Sequence, residues 1–514
     1  MSIQSTPQVR APESPLRVES FLLLAALLVG LWLTWSMPVF SQEAYYWTYA
    51  QHPDWSYFDH PPRVAWLIWV GTHLLGESAL GLRLCTWLCG CGVVLAGWLL
   101  LREFAASARA RGVWLVLSCC IPTLVAVRFL ANPDPPLACF WMFTVLALWK
   151  ARSGSLAWWL FAGLMAGCAL LSKYTAVFLA AGGLVLFALD PLMRKQLRRA
   201  GPYLGVAVAA LTFSPVLYWN VANDFESFKF QTAGRWERAG FSIKGFFEFL
   251  SEQIGVLNPV VAVLVPAVLL WLFARARRAD VRALWLLAFS APLLAYLLAS
   301  AAFVQVKMNW LAPVATPLAL ALALWWTESD FEARRPKLAR GLRGAVLVMA
   351  ALPLLGPIVR CVPLIGGTTW EGWTEIAACA EKWERVLDDS NGAPGNVFYF
   401  AADYRDAAQL TRNLKGAAAA SRPTEPREPT LAQNVIGLPG LQFDHWDDPK
   451  ARVGQDAIFV LPRPFMRSVV LKRVEARFES IERVETVHVR RLGIAVLDAD
   501  VFTCHKYLGP MPEK

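Results

Sequence analysis

Glu43, Asp54, Asp59 and His60 fall within one short aromatic segment, SQEAYYWTYAQHPDWSYFDHPPR, that begins at Ser41. Directly before it runs SFLLLAALLVGLWLTWSMPVF, an apolar stretch long enough to cross a bilayer. Charged side chains next to hydrocarbon cost several kcal/mol unless they are paired or line a wet cavity, so acids in this position imply a polar site. Carboxylates there can take up a proton, and cations beside them can hold an anionic group such as phosphate.

Four further segments carry comparable residues. They are RFLANPDPPL with Asp134, LLSKYTAVF with Lys173 and Tyr174, YWNVANDFESFKFQTAGRWER with Asn220, Asp224 and Arg235, and VQVKMNWLAP with Lys307, Asn309 and Trp310. Taken one at a time, a lysine such as Lys173 or Lys307 reads as a snorkelling anchor. Together the five segments read as one polar cavity at a single membrane face.

The elements that must position these residues follow from composition. The 514-residue chain is 56% hydrophobic with 24 Trp and 29 Phe, and its mean hydropathy is +0.41. That is far above a soluble domain and indicates a mainly α, polytopic membrane protein. About eleven apolar runs of helical character occur, near residues 20–40, 79–101, 113–128, 137–149, 155–171, 174–189, 201–219, 255–274, 283–303, 309–326 and 344–364. The first is read as a retained span, because no small-residue cleavage site follows it.

With a cytoplasmic N-terminus, the even-numbered connections hold the basic clusters RKQLRR and RARR together with Arg102, Arg109, Arg111, Lys150, Arg152, Arg334, Arg335 and Lys337. This positive-inside pattern explains most of the +10 net charge and removes the need for a nucleic-acid partner. The five polar segments then face the extracytoplasmic side. Between the first two spans, PPRVAWLIWVGTHLLG is too short to cross and is expected to lie along the interface, where Trp66 and Trp69 suit the depth. The domain division is a tail at 1–19, a membrane domain at 20–364 and an extracytoplasmic α/β domain at 365–514.

In that last region WTEIAACAEKWERVLDD and YRDAAQLTRNL have helical spacing, whereas NVFYFA, DAIFVL and GIAVLDADVF read as strands. AAAASRPTEPREPT reads as a loop. Cys379 and Cys504 are compatible with a disulfide or with two free thiols. The expected roles of this domain are covering the cavity or recognising an acceptor.

In order and spacing, EAYYWTYAQHPDWSYFDHPPRVAWLIW, NPDPPLACFW, LLSKYTAVFL, PVLYWNVANDFESFKFQ and VKMNWLAP resemble the bacterial branch of the protein O-mannosyltransferase-like family, related to the lipid A aminoarabinose transferases. The resemblance implies a GT-C fold. It also implies inverting transfer of a sugar from a polyprenyl-phosphate carrier to a periplasmic acceptor such as lipid A, another glycan or a protein, in the bacterial inner membrane. It places an Asp-Glu pair at the first outer loop, whose Asp is the catalytic carboxylate. This chain has Gln42-Glu43 there, and an amide cannot serve as base. Glu43 is therefore the first candidate, with Asp134 and Asp59 as alternatives.

Lys173, Lys307, His60 and Arg235 are expected to meet the donor phosphate. Gln42, Tyr46, Tyr57, Tyr174, Asn220, Asp224, Asn309 and Trp310 are expected to complete the substrate pocket. No cofactor is expected; a divalent metal is conceivable from the Asp, Glu and His present, but no His-x-x-x-His or Cys-x-x-Cys pair lies on this face. No nucleotide-binding Gly-rich fingerprint occurs. The competing classes are a flippase for a lipid-linked sugar, which would favour internal repeats and midplane charges, and an accessory protein that lost catalysis with Gln42.

Overall fold

The computed structural model describes residues 15–234, 236–237, 239–359, 371–391, 396–421, 430–462 and 467–510. All eleven apolar runs are mainly helical over their described residues. Among the described residues, seven helices are long and apolar enough to cross a membrane: Val18–Ser36, Ala79–Glu103, Gly201–Ala222, Pro259–Arg277, Val281–Ser300, Met308–Glu328 and Pro336–Ile358. The other four runs are shorter or interrupted. Leu156–Ser172 and Tyr174–Leu189 are short apolar helices, Asp134–Ala151 begins on an acid, and the run at 113–128 breaks at Pro122 into Ala108–Cys120 and Pro122–Ala126.

Small residues set a close helix contact. Gly163 and Gly167 face the Ala200–Ala222 helix, and a Cβ at Gly163 would lie 2.1 Å from the carbonyl oxygen of Gly205. Such small-residue spacing lets backbones approach where no hydrophobic effect drives helices together. The contact fixes the Leu156–Ser172 helix, whose C-terminal end presents Lys173.

Successive helices alternate direction, which collects the polar residues at one end. Ala79–Glu103 starts near Arg83 and finishes where Glu103 meets Lys150, the last turn of Asp134–Ala151, at 2.8 Å. That far end also holds the Arg152–Asp190 pair at 2.6 Å. Asp134 and Lys173 therefore share the opposite end.

The segment after the first span is not an irregular loop. Ser41–Gln51 is a helix with nine buried residues, and Arg63–Leu75 follows as the expected short helix. The first was illegible by period, because its aromatic side chains are buried on every side.

Beyond the membrane part lies a five-stranded sheet: β1 (Val397–Ala401), β2 (Thr430–Leu431), β3 (Asp456–Pro462), β4 (Phe478–Arg491) and β5 (Ile494–Tyr507), in the order β2-β1-β3-β5-β4. β1 runs parallel to β2 and β3, while β5 is antiparallel to β3 and β4. Leu492 and Gly493, with φ of 50° and 78°, make the tight turn between β4 and β5. The helices Trp373–Asn391 and Tyr404–Ser421 flank the sheet.

Cys379 packs with Val460 and Val501 on one face, whereas Cys504 packs with Phe398 and Phe459 on the other. The sheet separates the two thiols, and both are free. Of the segment expected as a loop, residues 417–421 extend a helix and 422–429 lie outside the described residues.

Candidate active site

Glu43 sits in the first turn of the Ser41–Gln51 helix, where its carboxylate reaches back to the Phe40 N–H at 2.8 Å. Its other contacts are stronger. Arg83 Nε donates to Oε1 at 2.7 Å and Nη2 to Oε2 at 2.5 Å, while the Ala131 N–H donates to Oε1 at 2.7 Å. The remaining Arg83 donors go to the carbonyls of Thr34, Met37 and Pro38, the unsatisfied end of the first span. Both side chains are fully buried. Glu43 thus ties the first span, the Ala79–Glu103 helix and the approach to Asp134 together, and every lone pair that faces the protein is committed. Its carboxylate is engaged in an ion pair and backbone hydrogen bonds, which suits a structural tie.

Asp59 has a different setting. Residues 58–60 bend, with the Tyr57 N–H donating to the His60 carbonyl at 3.2 Å, and the prolines at 61 and 62 lead into the Arg63–Leu75 helix, so Asp59 turns inward beneath Ser41–Gln51. Its Oδ1 accepts from the hydroxyl of Tyr45 at 3.2 Å and from that of Tyr49, one turn further along. His60 Nε2 lies 3.9 Å from Oδ2. Gln231 donates to the Asp59 carbonyl at 2.6 Å and steadies the turn. Burial pushes the Asp59 carboxyl up from the usual range near 3.8; the two tyrosine hydroxyls and the Lys307 charge offset only part of this. The same burial, with the Asp59 charge beside them, keeps Tyr45 and Tyr49 protonated.

Asp134 opens its helix, with Asn132 Oδ1 accepting from the Asp134 N–H at 3.0 Å and two prolines completing the first turn. Lys173 Nζ meets Asp134 Oδ1 at 2.7 Å, and Asn309 Nδ2 donates to Oδ2 at 2.6 Å. Three of the five segments are joined there. Tyr46 links this group to Asp59: its ring lies edge-on to His60 at 5.5 Å, and the charges of both Asp59 and Asp134 act on it, though burial is the main cause of its raised pKa. Lys307 is exposed and within electrostatic reach of Asp59.

Other expected residues have supporting places. The Tyr57 hydroxyl bonds the carbonyls of Tyr49 and His52 at 2.9 and 3.0 Å, a latch on the loop rather than a pocket wall. Tyr174 bonds Ser227 at 2.6 Å. Trp310 packs on the membrane core. Asp224 is exposed at a left-handed turn with φ of 49°, and no described hydrogen bond ties it to the cluster. Arg235 lies outside the described residues.

The roof comes from the α/β domain, and these residues escaped sequence reasoning. Tyr404 packs its ring on Tyr45 at 4.5 Å and reaches Gln42 at 3.5 Å. Gln442 receives the Phe58 N–H at 2.7 Å and donates its own N–H to the Tyr45 hydroxyl at 3.3 Å. Gln409 donates to the Val39 carbonyl at 2.8 Å. No local signal marks any of them, since each acts across more than 350 residues of chain. The described residues contain no group of three or more His, Cys, Asp or Glu arranged to hold a metal.

Residues 59–219, the segment carrying Asp59, Asp134 and Lys173, match the dolichyl-phosphate-mannose-protein mannosyltransferase family. The chain is 28% identical over 335 residues to the lipid A galacturonosyltransferase RgtD of Rhizobium johnstonii, a match spanning 63% of this chain and 66% of that relative. Its fold is that of ArnT from Cupriavidus metallidurans in the apo state, with a TM-score of 0.61 at 17% identity over 95% of this chain and 98% of that one. ArnT bound to undecaprenyl phosphate superposes with a TM-score of 0.55 at 16% identity, over 94% and 97%. The partial family match, the lipid A-modifying relative and the shared architecture support a membrane glycosyltransferase of the GT-C type.

Proposed function

We propose that this chain transfers a sugar from a polyprenyl-phosphate carrier to a glycolipid or glycan acceptor, with Asp59 as the general base and the site facing the periplasm. The observation that carries the reading is one cluster at the end of a helical bundle: a buried carboxylate that accepts from two tyrosine hydroxyls, with His60 at 3.9 Å and the Lys173–Asp134 pair in the same group. The resemblance of the chain to a lipid A galacturonosyltransferase and to a fold that accepts undecaprenyl phosphate supports the substrate classes.

The acceptor oxygen or nitrogen attacks the anomeric carbon as its proton passes to Asp59. The bond from that carbon to the phosphate oxygen breaks, and the polyprenyl phosphate leaves with the electron pair. Attack and departure on opposite faces invert the centre. Lys173, Lys307 and His60 stabilise the charge that grows on the phosphate. Asp134 and Asn309 hold Lys173 in place. Gln42 cannot share a proton and serves to orient Tyr404. The reaction needs no cofactor, because the sugar arrives activated.

The test is reconstitution of the full chain in nanodiscs with a labelled polyprenyl-phosphate sugar and a glycolipid acceptor. Transfer by the wild type and its loss in Asp59→Asn is the expected result. Full activity of Asp59→Asn removes the assignment of the base, and donor movement between leaflets without transfer removes the enzyme reading.

A further inference from the structure

A cavity of about 290 Å³ opens at the seam between the membrane part and the α/β domain. Asp54, Trp55, Tyr218, Asn223, Gln442 and Trp446 line it. Trp55 is 55% exposed and Tyr218 67% exposed. An interfacial belt would account for exposed aromatic rings, but it would not account for a polar floor or for the rigidity of the segment that carries Trp55.

That segment is pinned at four points. Asp54 Oδ1 accepts the Trp55 N–H at 2.6 Å, and Oδ2 accepts Trp219 Nε1 at 2.9 Å. The Asp54 carbonyl accepts Trp66 Nε1 at 3.0 Å, and the Asp54 N–H donates to the Tyr57 hydroxyl at 3.2 Å. On the other wall, Trp446 stacks on His52 at 4.6 Å. Aromatic faces beside carboxylate and amide groups suit a sugar ring: its C–H face lies on the rings and its hydroxyls find acceptors and donors. The local charge argues for an uncharged ring rather than a phosphate, since Asp54 is joined by Glu226, 3.6 Å from His445 of the same cavity.

We infer that this cavity binds an uncharged pyranose ring of the acceptor glycan. The inference rests on the transferase reading and deepens it. Gln442 lies in the wall of the cavity, its N–H donates to the Tyr45 hydroxyl, and that hydroxyl donates to Asp59. A ring bound at the seam is therefore joined to the surroundings of the proposed base through the Gln442 backbone and the Tyr45 hydroxyl.

Saturation-transfer NMR on the full chain in nanodiscs, with glucose, galactose, mannose, N-acetylglucosamine and chitobiose as soluble probes, tests binding without turnover. The expected result is a saccharide signal in the wild type that is lost in Trp55→Ala and Tyr218→Ala and kept in Trp55→Tyr. In the transfer assay the acceptor KM rises about tenfold in the two alanine variants, equivalent to about 1.4 kcal/mol, while the donor KM holds. No saccharide signal in the wild type, or an unchanged signal in both alanine variants, overturns the inference even if transfer is observed. A saccharide signal sensitive to Trp55 in a chain that transfers no sugar upholds the cavity and defeats the transferase reading instead.

Discussion

Glu43 and Asp59 are both buried acids next to the same short helix, yet their surroundings divide their roles. Around Glu43 a guanidinium and two backbone N–H groups converge, so the carboxylate is held in an ion pair with every partner a donor. Around Asp59 the partners are neutral tyrosine hydroxyls, with His60 at 3.9 Å and Lys307 at longer range. The difference teaches that residue type and position in a motif do not select a base. A group that must gain and lose a proton needs partners that tolerate both states, and an arginine does not.

The largest effect that sharpens this contrast is expected from Asp59→Asn, which should lower the transfer rate by about 10²–10⁴-fold while folding is retained. Steady-state kinetics on protein of unchanged melting temperature checks it, and an intact rate breaks the comparison. Glu43→Gln should act on the opposite quantity. It leaves the buried Arg83 charge uncompensated at a cost of about 3–5 kcal/mol, read as a lowered melting temperature and a poor folded yield. The double variant Glu43→Gln with Arg83→Met should recover part of that stability; if it instead keeps full stability and loses only the rate, Glu43 belongs to the chemistry.

Lys173→Met removes one cation from the proposed phosphate site and unpairs Asp134. A rise of roughly 10–100-fold in donor KM is expected, the size of one charge-assisted hydrogen bond. An unchanged donor KM would confine Lys173 to holding Asp134.

The smallest effect is a shift in pH dependence. Burial raises the Asp59 pKa, so the base stays protonated and idle into a range where an ordinary carboxylate has ionised, and the rate climbs with pH through that raised value. The Tyr49 hydroxyl lowers this pKa by favouring the ionised form. Tyr49→Phe should therefore move the acidic limb to still higher pH and leave the plateau nearly unaltered. A limb that stays put in a pH–rate profile separates Asp59 from the titrating group.

Much of the architecture was readable before any coordinates. Runs such as 79–101 and 201–219 appear as helices close to their expected bounds, because a long apolar stretch has few alternatives in a membrane. The strands at Val397–Ala401 and Asp456–Pro462 were equally plain as short apolar runs. β4 was not read from sequence, since its exposed, charged edge obscures the alternation expected of a strand. The Ser41–Gln51 helix escaped because the α/β domain covers the face that would otherwise be polar.

Sequence by itself determined that this is a membrane bundle with acids, amides and lysines delivered to one end by several segments, since apolar length and charge placement are properties of the chain read in order. Which acid faces an arginine and which faces two tyrosines was decided only by tertiary structure. Arg83 lies 40 residues from Glu43, and Gln442 lies 397 from Tyr45. A carboxylate's proton affinity is set by whatever groups the fold brings within a few ångströms of it, and no local spacing records that.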